Sequence, residues 1–240
     1  MFEEFRPYYQ LNKPKGTRWV IPDIHGCYGT LLAILNKIEL TKEDHLFFLG
    51  DFIDRGPLSA AVLDHLFNLH DLGFQIFPLR GNHEEMLLDA AKLDPRNVVL
   101  QYLEYNNTKD LLNSEREIDS KYISFMERLP FYYELEDFFL VHAGFNFNVK
   151  NPLASYEEMI WIRNFTPNEK ILRGKRMIYG HTPTGLSVIK KAISNKNTAI
   201  PLDNGCVFYE NSLALPGYEI GNLLCFNLDT QELIVQPYDD

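Results

Sequence analysis

The sequence predicts an α/β (α+β) fold in which helices flank a sheet, and three observations lead there. Short apolar runs alternate with polar clusters and then with stretches of helical periodicity. Five of those runs end in a cluster carrying Asp, Asn or His, the arrangement expected where strands deliver side chains to a sheet edge. No repeat, low-complexity tract or Gly/Ser linker interrupts the 240 residues, so one domain is expected over 1–240.

Residues 19–22 form the first such run and lead to Asp23-Ile24-His25-Gly26; apolar positions at helical spacing then predict a helix over 29–38. The run 46–49 leads to Gly50-Asp51-Phe52-Ile53-Asp54-Arg55-Gly56, and Pro57 suits the first turn of a helix reaching about Leu72. The run 74–79 leads to Arg80-Gly81-Asn82-His83-Glu84 and another helix start, where the Glu84 carboxylate favours the helix dipole. Residues 131–135 and 138–141 read as a hairpin around Glu136-Asp137 that ends at His142-Ala143-Gly144. The run 177–179 leads to Gly180-His181-Thr182. From about Ile193 onward, short apolar pieces separated by Asp203-Asn204-Gly205 and Pro216-Gly217 read as strands and tight turns. The stretch 92–128 differs: it is polar and helical in pattern, and is expected to be a solvated surface insertion rather than a cap on a site.

Composition removes several functions. Hydrophobic residues at 45% against 23% charged are ordinary for a globular enzyme. A net charge of −10, with no basic run, opposes general nucleic-acid binding. No apolar stretch approaches the ~20 residues needed to span a bilayer, and the acidic, aromatic start is unlike a signal peptide. Cys27, Cys206 and Cys225 are an odd set without paired spacing, which excludes a disulfide-stapled module and leads to the expectation of a reducing, cytoplasmic setting. Cys27 is expected to pack rather than to act as a nucleophile, and His45, His65 and His70 lie outside every cluster.

The clusters pool two carboxylates, Asp23 and Asp51, three imidazoles, His25, His142 and His181, and the amide oxygen of Asn82. Asp23 and His25 are two apart, so an extended backbone points both the same way. This mixture suits a pair of borderline divalent ions such as Mn, Fe or Zn; it is too rich in nitrogen for a Ca or Mg cage and lacks the thiolates of structural zinc. At roughly 5% per specified residue, Gly-Asp-x-x-Asp-Arg-Gly arises by chance on the order of 10⁻⁶ per position. All five clusters in one order are therefore a specific signal.

Asp23-Ile-His-Gly, Gly50-Asp-x-x-Asp-Arg-Gly56, Gly81-Asn-His-Glu84, His142-Ala-Gly and Gly180-His resemble the phosphoprotein phosphatases among the calcineurin-like metallophosphoesterases. Cys27 after the first motif and Ile160-Trp-x-Arg163 are similar to the small bacterial and bacteriophage members. The resemblance implies a four-layer β-sandwich of two mixed sheets flanked by helices, with a dinuclear metal site at one edge. It places Asp23 and His25 on a first ion, Asp51 between both, and Asn82, His142 and His181 on the second. It makes His83 the general acid with Asp54 as its partner, Arg55 and Arg163 phosphate ligands, and Arg80 a support of the substrate site.

Physical chemistry agrees with that division of labour. Phosphoryl transfer asks for positioning and charge neutralisation, and two ions about 3.5–4 Å apart would bind phosphate oxygens and turn a bridging water into hydroxide. A serine or threonine alkoxide leaves poorly unless protonated, which gives His83 its task, and Asp54 would orient that imidazole. Arginine forks match phosphate bidentately. The expected activity is metal-dependent hydrolysis of phosphoserine and phosphothreonine, with phosphotyrosine also open, on a phosphorylated protein or peptide. No nucleic acid, membrane or regulatory subunit is expected as a partner. Two alternatives stand beside it. Dinucleoside-tetraphosphate hydrolases resemble the first motif but typically carry Ala at the position of Asp54 and Asp at that of Glu84. A non-catalytic metal-binding interaction protein would show erosion of a ligand, the acid or an arginine.

Overall fold

In a computed structural model, which describes residues 4–94, 96–210 and 219–240, the apolar runs pair into two mixed sheets of five strands each. The first has the order β1 (Tyr8–Gln10), β5 (Tyr132–Glu134), β6 (Phe138–Val141), β7 (Arg176–Tyr179) and β8 (Ala199–Pro201). The second runs β10 (Leu233–Pro237), β9 (Asn222–Asn227), β2 (Arg18–Ile21), β3 (His45–Phe48) and β4 (Gln75–Pro78). Strands β2, β3 and β4 are mutually parallel, as are β6, β7 and β8; β9 and β5 run antiparallel to their neighbours β2 and β6.

The period of two along each strand sorts its side chains into layers. Val20, Phe47 and Leu224 pack with Tyr133, Leu140 and Ile178 in a core between the sheets. Their neighbours Trp19, Ile21, Leu46 and Phe48 turn the other way, onto α1 (Tyr28–Ile38), α2 (Ser59–Asp71) and α3 (Asn82–Leu93). Tyr132, Phe139, Val141 and Met177 face a third cluster under Phe145, Met159 and Leu172. Strands buried on both faces must be apolar throughout, which is why the runs read as continuous rather than alternating. The result is the expected four-layer arrangement of two mixed sheets between helices.

The hairpin forms in the expected register, with Tyr133 opposite Leu140 and the Leu135 N–H donating to Phe138 O at 2.8 Å. Helix α1 carries Leu31, Ile34 and Ile38 on one buried face and ends at Glu39 in the left-handed region. Helix α2 has no local side-chain cap; its early Ala60 N–H instead donates to the Asp110 carboxylate at 2.7 Å, fifty residues downstream. The stretch 92–128 is corrected. It folds into α4 (Asn97–Tyr105), a 3₁₀ turn (Lys109–Leu111) and α5 (Ser120–Glu127), and it is not merely a solvated layer. Val99, Leu103, Leu111, Phe125 and Met126 are buried in the core that α2 and α3 share. Its polar majority occupies the outer faces and hid an amphipathic inner one.

Strand β1 and helix α6 (Leu186–Ser194) lie outside the elements expected from the sequence. Strand β1 is three residues long and half exposed, so its pattern carries little signal. Asp203-Asn204-Gly205 is a turn, with the Gly205 N–H donating to Asp203 Oδ1 at 2.7 Å, but Asp203 and Asn204 are buried. The expected turn at Pro216-Gly217 lies outside the described residues. No helix among the described residues is long and apolar enough to cross a membrane.

Candidate metal centre

The carboxyl ends of β2, β3 and β4 in one sheet meet those of β6 and β7 in the other, and the residues of the five clusters lie in the loops that follow these strands or, for Asn82, His83 and Glu84, in the first turn of α3. Ile24 and His25 donate their backbone N–H groups to Asp51 O at 3.0 and 2.9 Å, zipping the first two loops together. Glu84 joins the third. Fully buried in the first turn of α3, its carboxylate accepts the N–H of Gly81 (2.9 Å), Asp51 (2.9 Å) and Phe52 (2.8 Å). Glu84 thus stands in the first turn of its helix, as its position predicts, and also holds the loop after β3, a partner that only the fold brings to it. Two glycines permit the close approach. A Cβ on Gly81 would overlap Asp51 Oδ1, and one on Gly180 would overlap Asp23 Oδ1.

Asp51 stands at the centre. Its Oδ1 accepts the His83 N–H at 3.0 Å, and its Oδ2 lies 3.5 Å from His25 Nε2 and 3.6 Å from His142 Nε2. His25 Nδ1 is 2.8 Å from Ile53 O and His142 Nδ1 is 2.8 Å from Leu49 O. A carbonyl can only accept, so each Nδ1 carries the proton and each Nε2 presents a lone pair toward the carboxylate. Asn82 Oδ1 lies 3.0 Å from His142 Nε2 and 2.9 Å from His181 Nδ1, and those two nitrogens are 3.2 Å apart. Lone pairs and a carboxylate converging in a buried place are the donor set a cation completes. Two ligand-sized groups result, His25–Asp51–His83 and Asp51–His142–His181, with Asp51 common to both. These residues fit a pair of divalent ions.

Asp23 is in neither group; both its oxygens accept the His181 N–H at 3.0 Å. Burial and the charges of Asp203 and Asp51 push its carboxyl well above the usual carboxylate range. Burial likewise drives Glu84 and Asp203 up to about 7. Asp51 is the exception: burial raises it, but the adjacent His142, His83 and His25 outweigh that and hold it low. Burial lowers His25, His142 and His181, the last to about 3, which keeps their lone pairs free of protons. His25, Asp51, Asp54, Arg55 and His181 all have left-handed backbones, with φ between 49° and 73°. That is a rare region for side chains with a Cβ, and such residues cluster where a site dictates the backbone.

His83 and Asp54 pair as expected: His83 Nδ1 is 2.6 Å from Asp54 Oδ2, and Asp54 is fully buried. Burial lowers the His83 imidazole, yet Asp51 and the Asp54 hydrogen bond prevail and raise it overall. Arg55 is exposed at the rim, its Nη1 2.5 Å from His25 Nε2 and its guanidinium over the Phe208 ring at 5.3 Å. Arg163 is also exposed. It lines a cleft of about 830 Å³ with Asn148, Phe165, Tyr179 and Lys196, and its charge reaches His181.

Arg80 is a correction. Its guanidinium donates to Glu85 Oε2 and to Glu127 O, both at 2.7 Å, and lies over the rings of Phe131 and Phe5. A guanidinium so engaged braces α3 against α5 and is turned to protein rather than to a substrate. Cys27 is buried, with its Sγ 3.6 Å from His25 O, and all three cysteines are free. Among the described residues, His45, His65 and His70 belong to no ligand-sized group. Sequence reasoning missed Asp203, whose buried carboxyl stands close enough to raise Asp23, and two hydroxyls on Asp54, those of Tyr102 and Thr108. Nothing in local pattern distinguishes these three from ordinary turn and helix residues.

A family model for calcineurin-like phosphoesterases matches residues 17–214. Over 217 residues the chain is 29% identical to the bis(5'-nucleosyl)-tetraphosphatase PrpE [asymmetrical] of Bacillus velezensis, covering 79% of this chain and 84% of that one. A second match, 36% over 100 residues, is to the symmetrical bis(5'-nucleosyl)-tetraphosphatase of Escherichia coli; it covers 40% of this chain and only 35% of the relative. Similar solved structures include one provisionally assigned as a diadenosine tetraphosphatase (TM-score 0.69, 20% identity, 98% of this chain and 100% of that one). Others are a protein serine/threonine phosphatase of Saccharomyces cerevisiae (0.62, 18%, 98% and 84%) and a cold-active protein-tyrosine phosphatase of a psychrophilic Shewanella (0.60, 19%, 98% and 81%). At these identities the structures establish the fold alone.

Proposed function

Since that family model spans most of its length, the chain belongs to the calcineurin-like phosphoesterase family and is a metal-dependent phosphoesterase, and we propose that its substrates are phosphoserine and phosphothreonine in proteins or peptides. The observation that carries this reading is the buried Asp54 carboxylate 2.6 Å from His83 Nδ1. Held there, the His83 imidazole keeps Nδ1–H on Asp54 and turns Nε2 toward the cluster, where its proton is available to a departing oxygen. The value of that proton depends on the leaving group. A serine or threonine alkoxide is nearly as basic as hydroxide, whose acid has a pKa of about 15.7. A nucleotide leaves from a dinucleoside polyphosphate as a phosphate with a pKa of about 6, and needs little help. A buried acid pair thus fits monoesters of alcohols.

The divalent ions, when bound, supply positive charge to the phosphate and make water a better nucleophile. Asp23 and His25 are assigned to one, Asn82, His142 and His181 to the other, and Asp51 to both; the nitrogen-rich set suits Mn, with Fe or Zn also accommodated. Arg55 and Arg163, both exposed, are assigned to phosphate oxygens, which the planar guanidinium fork can grip two at a time. Three buried free thiols fit a reducing, cytoplasmic setting. No regulatory subunit is proposed.

The PrpE similarity, which extends over 84% of that relative, favours a second reading: hydrolysis of diadenosine tetraphosphate. Comparing kcat/KM of the Mn-loaded protein on a phosphoserine peptide and on diadenosine tetraphosphate decides between them. The protein-phosphatase reading expects the peptide to be preferred and His83→Asn to lower its turnover by about 10²–10³ with metal content intact. Preference for the dinucleotide, with little effect of His83→Asn, would establish the alternative.

A further inference from the structure

We propose that Tyr102 and Thr108, which reach in from α4 and the turn behind it, are positioning residues for proton delivery to the leaving group; this rests on the monoesterase reading above. Asp54 is fully buried and left-handed, with φ 73°, and nothing in its own loop aims its carboxylate. Its Oδ2 accepts both His83 Nδ1–H and the Tyr102 hydroxyl, and its Oδ1 accepts the Thr108 hydroxyl. The Tyr102 hydroxyl also lies 3.2 Å from His83 O, so one phenol touches both members of the pair. Thr108 is itself fully buried.

The surrounding contacts make this segment a clamp on the whole Asp54–Ala60 loop. Arg55 N–H donates to Asn106 O at 2.7 Å, and Asn107 Nδ2 is 3.4 Å from the carbonyls of Arg55 and Gly56. The Asp110 carboxylate accepts the Ala60 N–H at 2.7 Å. Ser59 completes the set by accepting the Asp54 N–H at 3.1 Å. An ionised carboxylate has about four acceptor sites, and here two neutral O–H groups share it with one imidazole. They occupy its oxygens without competing as a cation would, and they fix the rotamer that points Oδ2 at Nδ1. In the step they serve, a water oxygen bonds to phosphorus and gives up a proton to solvent as the P–O bond to the serine Oγ breaks, and the His83 Nε2 proton moves to that Oγ. The imidazole is left neutral, with Nδ1–H still on Asp54.

A merely structural pair of hydroxyls would slow every substrate alike; a positioning pair would slow substrates according to the basicity of the leaving oxygen. Tyr102→Phe and Thr108→Val should each lower kcat on a phosphoserine peptide about tenfold, the loss of one hydrogen bond to a charged group, with KM unchanged. Turnover of 4-nitrophenyl phosphate, whose leaving group needs no proton, should change by less than about twofold. Thr108→Ser should restore the peptide activity, and Tyr102→Phe should add nothing in a His83→Asn background. Equal losses on both substrates would overturn the proposal. Should the wild type fail to prefer the peptide, the monoesterase reading falls, and the ring nitrogens of His83 still test the positioning. In ¹⁵N-labelled, metal-free protein, the low-field Nδ1–H signal should be lost in the Tyr102→Phe,Thr108→Val double variant. An unchanged signal there would overturn it on its own.

Discussion

Strand β2 has a charged group at each end, and the two ends treat charge in opposite ways. At its start, Arg18 is only 3% exposed and lies between two carboxylates. Its Nη1 and Nη2 grip Asp137 at 2.5 and 2.8 Å, Nη2 meets Asp229 at 2.9 Å, and its N–H donates to Asp229 Oδ2 at 3.0 Å. Lys13 adds a second cation on Asp229 at 2.7 Å. Every charge has its opposite within the chain, and the network ties β2 to the turn after β5 and the turn after β9. Beyond the other end stand Asp23, His25, Asp51, Glu84 and Asp203, where buried carboxyls repel one another and burial strips the histidines of protons. That end gathers ligand atoms on left-handed backbones. One end stabilises the sandwich; the other forgoes stability to keep a place where cations are wanted.

Substitutions at the two ends should therefore fail in different ways. Asp51→Asn should have the largest effect: losing the carboxylate common to both ligand groups should lower metal affinity more than about a hundredfold and turnover with it. Elemental analysis checks this, and full retention of both ions would contradict it. Arg18→Met should act oppositely. Asp137 is half exposed, so the loss is nearer a charged hydrogen bond than a fully buried ion pair, about 2–3 kcal/mol by urea unfolding, with activity per folded molecule kept.

Acid should reveal the same end. Burial raises the Asp229 carboxyl, but hydrogen bonds from Arg18 and Lys13 prevail and hold it below its ordinary 3.8. Its contribution is then complete above that value and lost as pH falls through the depressed one. Wild type should lose this contribution on acidification from about pH 4 to pH 2, and Arg18→Met, which lacks the pairing, should lose less stability over that interval. The smallest effects should separate two arginines of the motifs. Arg55→Ala should raise KM or lower kcat by about tenfold, whereas Arg80→Ala should leave KM for phosphate esters within about twofold and lower thermal stability. A KM defect in Arg80→Ala would return that residue to the substrate site.

Much of the site could be read in the chain because its chemistry is written at strand ends. A run such as 46–49 followed by Gly50 and Asp51 places a carboxylate at a sheet edge whatever the rest of the protein does. Arg80 shows the limit: its motif position is two residues before Asn82, but its direction depends on Glu85 and the Glu127 carbonyl, which no spacing reveals. The stretch 92–128 shows it more sharply. Its helices could be anticipated from periodicity, and its hydroxyls could not be assigned a partner, because Tyr102 and Asp54 are 48 residues apart.

What the sequence determined by itself was therefore local: the strands, through apolar runs of the right length, and the identity of the ligand atoms, through residue types at turns. Tertiary structure alone decided which of those atoms face one another. Only folding brings the Asp51 oxygen between His25 and His142, presses Asp203 toward Asp23, and lowers two hydroxyls onto Asp54. The physical reason is that a charge's energy depends on its solvent and its neighbours, and both are set by distant segments of chain.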